Sequence, residues 1–188
     1  FDVWMRILAA VPGSVLWLLS STPEAESNLR AEATARGVAP ERIVMAPFVA
    51  NAEHLARHRH IDLVLDTLPY NAHTTASDAL WQGIPVLTRT GTSFAGRVAT
   101  SLLEGCGMPE LITATVEDYE RTAVALARDP ATLAAIKAKL AAQLPAAPLF
   151  DTPRLTRHIE LAYAEMKARH DRGEPPSLLD VRELAAEP

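Results

Sequence analysis

Apolar and polar positions along the first 115 residues alternate between two patterns, short apolar runs and longer segments with helical spacing. The short runs predict buried strands, and the segments between them predict helices, two of which end at a glycine. Strands that alternate with helices in this way indicate a parallel sheet covered on both faces, and therefore an α/β fold of the Rossmann-like, doubly wound type. The five predicted strands are residues 14–20, 42–48, 61–67, 84–90 and 110–115.

From about residue 116 the pattern becomes purely helical. Helices are predicted at residues 116–129 and 130–144, and Pro130 between them suits a first helical position. A long C-terminal helix follows and is expected to pack back on the fold, whereas the polar, proline-containing end of the chain is expected to be loose. The predicted parts are a main lobe at 1–150, the long helix at 151–173 and a flexible tail at 174–188.

Composition and charge narrow the function classes. The chain has 188 residues, of which 48% are hydrophobic, and a net charge of −5 at pH 7. These values argue against disorder and against nucleic acid as a partner, and no apolar run is long enough to cross a bilayer. A single cysteine, Cys106, fits a reducing compartment, so we predict a cytoplasmic protein without membrane contact. The chain opens inside a helical pattern without an initiator methionine, and we therefore predict the C-terminal part of a longer protein.

Polar side chains follow the third predicted strand in the stretch "NAHTTASD". Ligands of open parallel sheets bind beyond the carboxyl ends of the strands, and a helix that begins near Thr74 and Thr75 offers free N–H groups to an anion such as phosphate. The alternative is a capping box, because Thr75 and Asp78 have the required spacing. Spacing alone favours the capping box, since helix caps are commoner than phosphate sites.

A second candidate site follows the strand at 42–48. His54 and Arg57 are three residues apart on one helical face, where Arg57 can bond a base or a phosphate and His54 can stack on a planar ring. The alternative is an ordinary solvated basic helix. His54 and His58 have a metal-compatible spacing, but no third ligand is evident, so no metal is expected.

A third candidate, with weaker support, is the glycine-containing stretch "RTGTSFAGR". Gly91, Thr92 and Ser93 are predicted at the start of a helix over 93–107, with Arg97 one turn further on. The stretch lacks the spacing of a P-loop or a dinucleotide fingerprint, and a tight turn is at least as good an explanation. Cys106 has no evident activating base and is predicted to be a small buried residue.

The stretch "LDTLPYNAHTTASDALWQGIPVLTRTGTSFAGRVATSLL" closely resembles the C-terminal lobe of the O-linked N-acetylglucosamine transferases. Further segments follow that family in order, so the resemblance covers most of the chain except its tail. It implies that residues 1–150 form the UDP-sugar-binding lobe of a two-lobed GT-B glycosyltransferase. The supporting segments are "LAAVPGSVLWLL", "PERIVMAPF", "EHLARHRHIDLVLDT" and "VEDYERTAVALARD".

The resemblance also implies an activity and partners. The expected enzyme is inverting and metal-independent, has no cofactor, and moves N-acetylglucosamine from UDP to Ser or Thr hydroxyls of proteins. The expected partners are UDP or a UDP-sugar, a protein acceptor, and the N-terminal catalytic lobe and upstream tetratricopeptide repeats of the same protein. This chain alone is expected to be inactive.

By position, the resemblance assigns Thr74 and Thr75 to the diphosphate, His73 to a place beside it, and Asp78 to the ribose hydroxyls. On the other side, it assigns His54, Arg57 and the backbone at Val49 to the uracil. Asn51 stands where the family usually has a lysine that bonds the ribose, so this contact is weaker or made differently. The predicted site residues are thus Val49, Asn51, His54, Arg57, His73, Thr74, Thr75 and Asp78.

Two alternatives stay open at this point. The first is a UDP-sugar-dependent enzyme that acts on a small-molecule acceptor. The second is a nucleotide-binding module that has lost catalysis, for which the uncharged Asn51 is the one supporting feature.

Overall fold

The structure, a computed structural model, describes residues 1–181. Strands and helices alternate along its first part, and the later part is helical. The strands are β1 (Leu16–Leu19), β2 (Ile43–Ala46), β3 (Val64–Leu65), β4 (Val86–Arg89) and β5 (Ile112–Thr113). The helices are α1 (Asp2–Ala10), α2 (Pro23–Ala35), α3 (Asn51–Arg57), α4 (Thr74–Trp81), α5 (Val98–Gly105), α6 (Val116–Arg128), α7 (Pro130–Gln143) and α8 (Thr152–Asp171).

All strand pairs are parallel, as predicted, and they form two hydrogen-bonded groups. The first group is β1–β2, with Leu16 opposite Ile43. The second has the order β3–β4–β5, with Val64 opposite Val86. Within residues 1–181 no backbone ladder joins the two groups. The predicted parallel α/β fold is therefore confirmed, with its strands divided between two sheets.

Helix α1 packs against both groups of strands. Met5 and Leu8 on one side of α1 share a buried cluster with Ile43 of β2. Ile7, on another side, belongs to a second cluster with Leu87 of β4 and Tyr119 of α6. Burial of each large apolar side chain contributes about 1.5–3 kcal/mol. The apolar residues of α1 thus connect the two groups of strands through side-chain packing.

Side chains close the N-termini of four helices. The hydroxyl or carboxylate of each capping residue accepts a backbone N–H of the first turn, which contributes about 1 kcal/mol per helix. Pro130 occupies the first position of α7, as predicted. The capping residues are Thr22 for α2, Thr115 for α6, Asp129 for α7 and Asp151 for α8.

The predicted helix over 93–107 is wrong at its start. Helix α5 begins only at Val98, because the Gly91 N–H donates to the Gly96 carbonyl at 2.6 Å and closes a turn that takes up the residues between them. Cys106, just after α5, is buried as predicted, and burial raises the pKa of its thiol.

The chain divides into two compact units, one over Phe1–Leu144 and one from Pro145 onward. Helix α8 lies in the second unit, close to the bounds expected for the long helix. The predicted domain limits and the packing of the long helix on the fold stay predictions, and the predicted tail extends beyond the described residues. Across residues 1–181, no helix combines the length and the apolar character that a bilayer crossing needs.

Candidate functional site

The start of α4 has no side-chain cap, which is also true of α1, α3 and α5. His73 is the N-cap residue, and no side chain caps this helix within the described residues. The first backbone bond of the helix runs from the Ser77 N–H to the His73 carbonyl at 3.0 Å, so the N–H groups before it have no partner within the helix. Thr74 and Thr75 are exposed. The capping-box interpretation is therefore wrong, because Thr75 lies inside the helix and its side chain caps nothing.

His73 stands between two aromatic rings beside this helix start. It stacks on Tyr70 with ring centroids 5.0 Å apart, and Phe94 meets it edge-on at 6.4 Å. Tyr70 and Phe94 are 63% and 78% exposed. The buried Nε2 atom of His73 has no hydrogen-bond partner among the described residues. The imidazole is thus held by its ring faces while one nitrogen stays unpaired at the start of α4.

The loop from Thr67 to Ala72 directly precedes His73 and holds it in this position. Asp66, at the end of β3, is 1% exposed and accepts the backbone N–H groups of Thr67 at 2.8 Å and Ala72 at 2.6 Å. The Asn71 N–H donates to the Ala95 carbonyl at 3.0 Å. The loop is therefore bonded both to the strand end and to the next turn.

The third candidate stretch supports this loop and does not start a helix. Ser93 accepts the Gly96 N–H at 3.1 Å inside the turn, and Thr92 and Arg97 are exposed. A Cβ atom on Gly96 would lie 2.9 Å from the Pro69 carbonyl oxygen. The turn thus packs backbone to backbone against loop 67–72, which only a glycine at position 96 permits.

Helix α3 brings His54 and Arg57 into direct contact, which confirms that they share one face. Arg57 donates from Nη2 and Nε to His54 Nδ1 at 2.8 and 3.2 Å, and from Nη1 to the Pro47 carbonyl at 2.7 Å. Its guanidinium also lies 5.5 Å from the ring centroid of Trp17. The protein itself therefore orients Arg57 and uses several of its donors.

Electrostatics link α3 with α4. Burial and the charges of His58 and Arg57 lower the pKa of His54, while the Asp78 carboxylate acts in the opposite direction. The His54 ring is thus neutral at pH 7 and accepts from Arg57 through Nδ1. This effect of Asp78 on His54 relates a predicted site residue of α4 to one of α3.

The positions of Val49 and Asn51 give less support to their predicted roles than those of His54 and Arg57 do. Val49 is half-buried in the loop after β2, and Asn51 is the exposed first residue of α3. In the part of the chain that the structure describes, no hydrogen bond joins Asn51 to α4. The contacts assigned to these two residues stay predictions.

The histidines of α3 show no metal-binding arrangement. His58 donates from Nδ1 to the His54 carbonyl at 2.8 Å, and the two rings meet edge-on at 4.8 Å. Over residues 1–181, no three His, Cys, Asp or Glu side chains are grouped to hold a metal ion.

Sequence reasoning missed Asp66, Tyr70 and Phe94. An Asp directly after an apolar run was the one available signal for Asp66. The two aromatic residues belong to different loops that meet only in the folded chain, so no local pattern connects them.

A parallel α/β unit with an uncapped helix start after β3 and a helix that carries His54 and Arg57 after β2 is compatible with the architecture of a nucleotide-binding lobe. The chain matches the model of glycosyl transferase family 41 over residues 1–159. It therefore belongs to glycosyl transferase family 41.

Its relatives include a Caenorhabditis elegans UDP-N-acetylglucosamine–peptide N-acetylglucosaminyltransferase, 38% identical over 93% of this chain and 15% of that protein. A probable enzyme of the same description from Arabidopsis thaliana, named SEC, is 37% identical over 97% of this chain and 19% of its own length. A mutant of the Thermobaculum terrenum O-GlcNAc transferase superposes with a TM-score of 0.83 and 38% identity, over 88% of this chain and 32% of that one.

These matches confirm the resemblance to the O-linked N-acetylglucosamine transferases and the fold of a GT-B lobe. The chain spans less than a quarter of the length of the curated relatives reported above.

Proposed function

We propose that this chain is the nucleotide-sugar-binding lobe of an inverting glycosyltransferase that moves N-acetylglucosamine from UDP to Ser or Thr hydroxyls of proteins. The observation that supports this most is the uncapped start of α4 in a member of family 41. The names of the relatives, UDP-N-acetylglucosamine–peptide N-acetylglucosaminyltransferases, support the donor and the acceptor class.

The helix start would stabilise the leaving group. Negative charge builds on UDP as the bond from sugar to phosphate breaks, and the N–H groups of α4 with the hydroxyls of Thr74 and Thr75 are preorganised to meet it. A hydrogen bond to a charged oxygen contributes about 1.5–3 kcal/mol. The unpaired Nε2 of His73 would lie beside the diphosphate. Since these groups supply the stabilisation, we propose a reaction that needs neither a metal nor another cofactor.

The nucleoside would lie between α4 and α3. The neutral ring of His54, with Arg57 bonded to it, and the backbone at Val49 would contact the uracil. Asp78 would accept the ribose hydroxyls. A carboxylate aimed at the ribose avoids the repulsion that it would suffer beside the diphosphate.

The complete reaction would need parts outside this chain. We propose an N-terminal catalytic lobe, upstream tetratricopeptide repeats and a protein acceptor as partners, in a cytoplasmic protein with neither nucleic-acid nor membrane partners. This agrees with relatives several times longer than the chain.

One observation favours a second candidate function, a nucleotide-binding module without catalysis. Asn51, where the family resemblance places a lysine, is exposed and uncharged at the start of α3. The loss of that charge would weaken the hold on the ribose.

The test is Thr75→Ala in the full-length protein, assayed by calorimetry with UDP and by transfer from UDP-N-acetylglucosamine to a Ser/Thr peptide. We expect kcat/KM to fall by a factor that corresponds to about 1–3 kcal/mol of lost transition-state stabilisation, because one donor to the diphosphate is removed. Thr132→Ala is the matched control, since Thr132 also lies in the first turn of an exposed helix, α7.

The outcomes separate the candidates. UDP binding without transfer to peptides or small acceptors would support the inactive module. Transfer to small acceptors alone would mean that the acceptor is a small molecule and not a protein. An unchanged rate for Thr75→Ala would refute the role of its hydroxyl.

A further inference from the structure

Asp66 is a buried carboxylate to which the proposed mechanism gives no role. It follows β3 directly and is 1% exposed. Carboxylates are seldom buried so fully without a reason, because removal from water disfavours the charged form. Burial indeed raises the pKa of Asp66, against the opposing effects of its hydrogen bonds and of His73.

The carboxylate closes loop 67–72 at both ends. One oxygen, Oδ1, accepts the N–H of Thr67 at 2.8 Å and the N–H of Ala72 at 2.6 Å. These are the first and the last residues of the loop, and a single atom therefore sets the distance between them. The other oxygen, Oδ2, accepts the buried hydroxyl of Thr88 in β4 at 2.6 Å.

The backbone of Asp66 is also held by hydrogen bonds. Its N–H donates to the Leu87 carbonyl of β4 at 3.0 Å, and its own carbonyl accepts the Tyr119 hydroxyl of α6 at 3.0 Å. Tyr119 is 1% exposed. Asp66 is thus a fixed point within the core, from which the loop is held by charge-assisted bonds.

The held end of the loop is the entry to the proposed phosphate site. Ala72 immediately precedes His73, the N-cap residue of α4, so any movement of Ala72 moves the free N–H groups of the first turn. Hydrogen-bond donors stabilise a developing charge only if they are already in place. Displacements of about 1 Å are enough to cost large factors in rate.

We propose that Asp66 is a positioning residue, which sets the start of α4 for a nucleoside diphosphate by bonding both ends of loop 67–72. This inference rests on the proposed function, because the ligand is the one proposed there. It assigns to the end of β3 the positioning of the start of α4, which the residues proposed to contact the substrate do not perform themselves.

The test is Asp66→Asn in the full-length protein, which keeps the shape of the side chain and removes its charge. We expect the Kd for UDP to rise and kcat to fall by about tenfold, with the KM for the acceptor peptide unchanged. The thermal midpoint should also fall, because the amide nitrogen of asparagine cannot accept the hydrogen bond that the Thr88 hydroxyl donates to Oδ2. The control is Leu140→Ala, at a buried residue of α7 outside these hydrogen bonds, which should lower the midpoint without changing the Kd for UDP.

A double-mutant cycle separates positioning from general destabilisation. If Asp66 acts through the start of α4, Asp66→Asn should weaken UDP binding less than twofold in a Thr75→Ala background, because the two changes disrupt the same contact. Additive losses would overturn the proposal.

If Asp66→Asn does not fold, a second variant tests the same role. Thr88→Val removes one donor to the carboxylate, and we expect a smaller rise in the Kd for UDP, about threefold. An unchanged Kd would overturn the proposal.

The cycle also distinguishes this inference from the proposed function. Normal UDP affinity in Asp66→Asn beside weakened affinity in Thr75→Ala would overturn only the positioning role. Failure of the unsubstituted full-length protein to bind UDP would overturn both.

Discussion

At the scale of single residues, Asn51 marks the departure of the proposed UDP site from the family pattern. It is exposed at the first position of α3, and its amide has no charge to attract a nucleotide. The neighbouring side chains of that helix, His54 and Arg57, are bonded to each other. The α3 side of the proposed site therefore has fewer free N–H donors on Arg57 than its sequence suggests.

Asn51→Lys should tighten UDP binding. We expect the Kd to fall about threefold to tenfold at low ionic strength, since a new ammonium near the ribose and diphosphate attracts the ligand. Calorimetry with UDP measures the change, and Ala52→Lys, one residue further on, is the matched control. Equal tightening in both variants would mean a general charge effect and would contradict a specific role for position 51.

The residues of "HTT" show how far a local motif can be interpreted. The stretch predicts a helix start and an anion site or a cap, and the sequence alone cannot separate the two because both use the same residue types. The missing side-chain cap at His73 contradicts the capping box, and the anion site stays a prediction. Asp66 escapes local reasoning altogether, since its partners Thr88 and Tyr119 are 22 and 53 residues away along the chain.

At the scale of elements, the proposed phosphate site depends on two backbone segments that touch. Loop 67–72 and the turn from Gly91 to Gly96 are joined by the bond from the Asn71 N–H to the Ala95 carbonyl. Gly96 permits this approach because any Cβ there would lie 2.9 Å from the Pro69 oxygen. The turn that replaces the predicted helix start is therefore part of the support of α4.

Gly96→Ala should separate these segments. We expect the free energy of unfolding to fall by about 1–3 kcal/mol, because the contacts are with backbone that has to shift, and the Kd for UDP to rise several-fold. Urea unfolding and calorimetry with UDP measure the two effects.

Gly37→Ala provides the control. Nothing lies within 4 Å of a Cβ at Gly37, but its φ of +76° makes alanine costly by about 1–2 kcal/mol. This variant should lose stability and keep its affinity for UDP. Equal loss of affinity in the two variants would show that stability alone governs binding.

At the scale of the whole molecule, this chain supplies one side of a proposed reaction. It presents donors for a leaving diphosphate, whereas the protein acceptor is proposed to bind elsewhere. The chain covers only a minor part of the length of its relatives, which agrees with this division.

The isolated chain should therefore bind UDP weakly and transfer nothing. We expect a Kd on the order of millimolar, about −4 kcal/mol of binding free energy, because only part of the ligand is enclosed. Calorimetry and a peptide-transfer assay, run beside the full-length protein, measure both. Transfer by the isolated chain at the full-length rate would contradict the prediction and place the acceptor site within this chain.

The sequence by itself determined the order of strands and helices, the parallel α/β class, the Asp-Pro start of α7 and the stretch proposed to hold the site. These depend on local properties, namely apolar periodicity, backbone propensity and a family motif. The tertiary structure alone decided the open start of α4, the turn at 91–96, the two separate sheets and the bonds of Asp66. These depend on which distant segments meet, because free energies of packing and of buried hydrogen bonds outweigh local preference once the chain has folded.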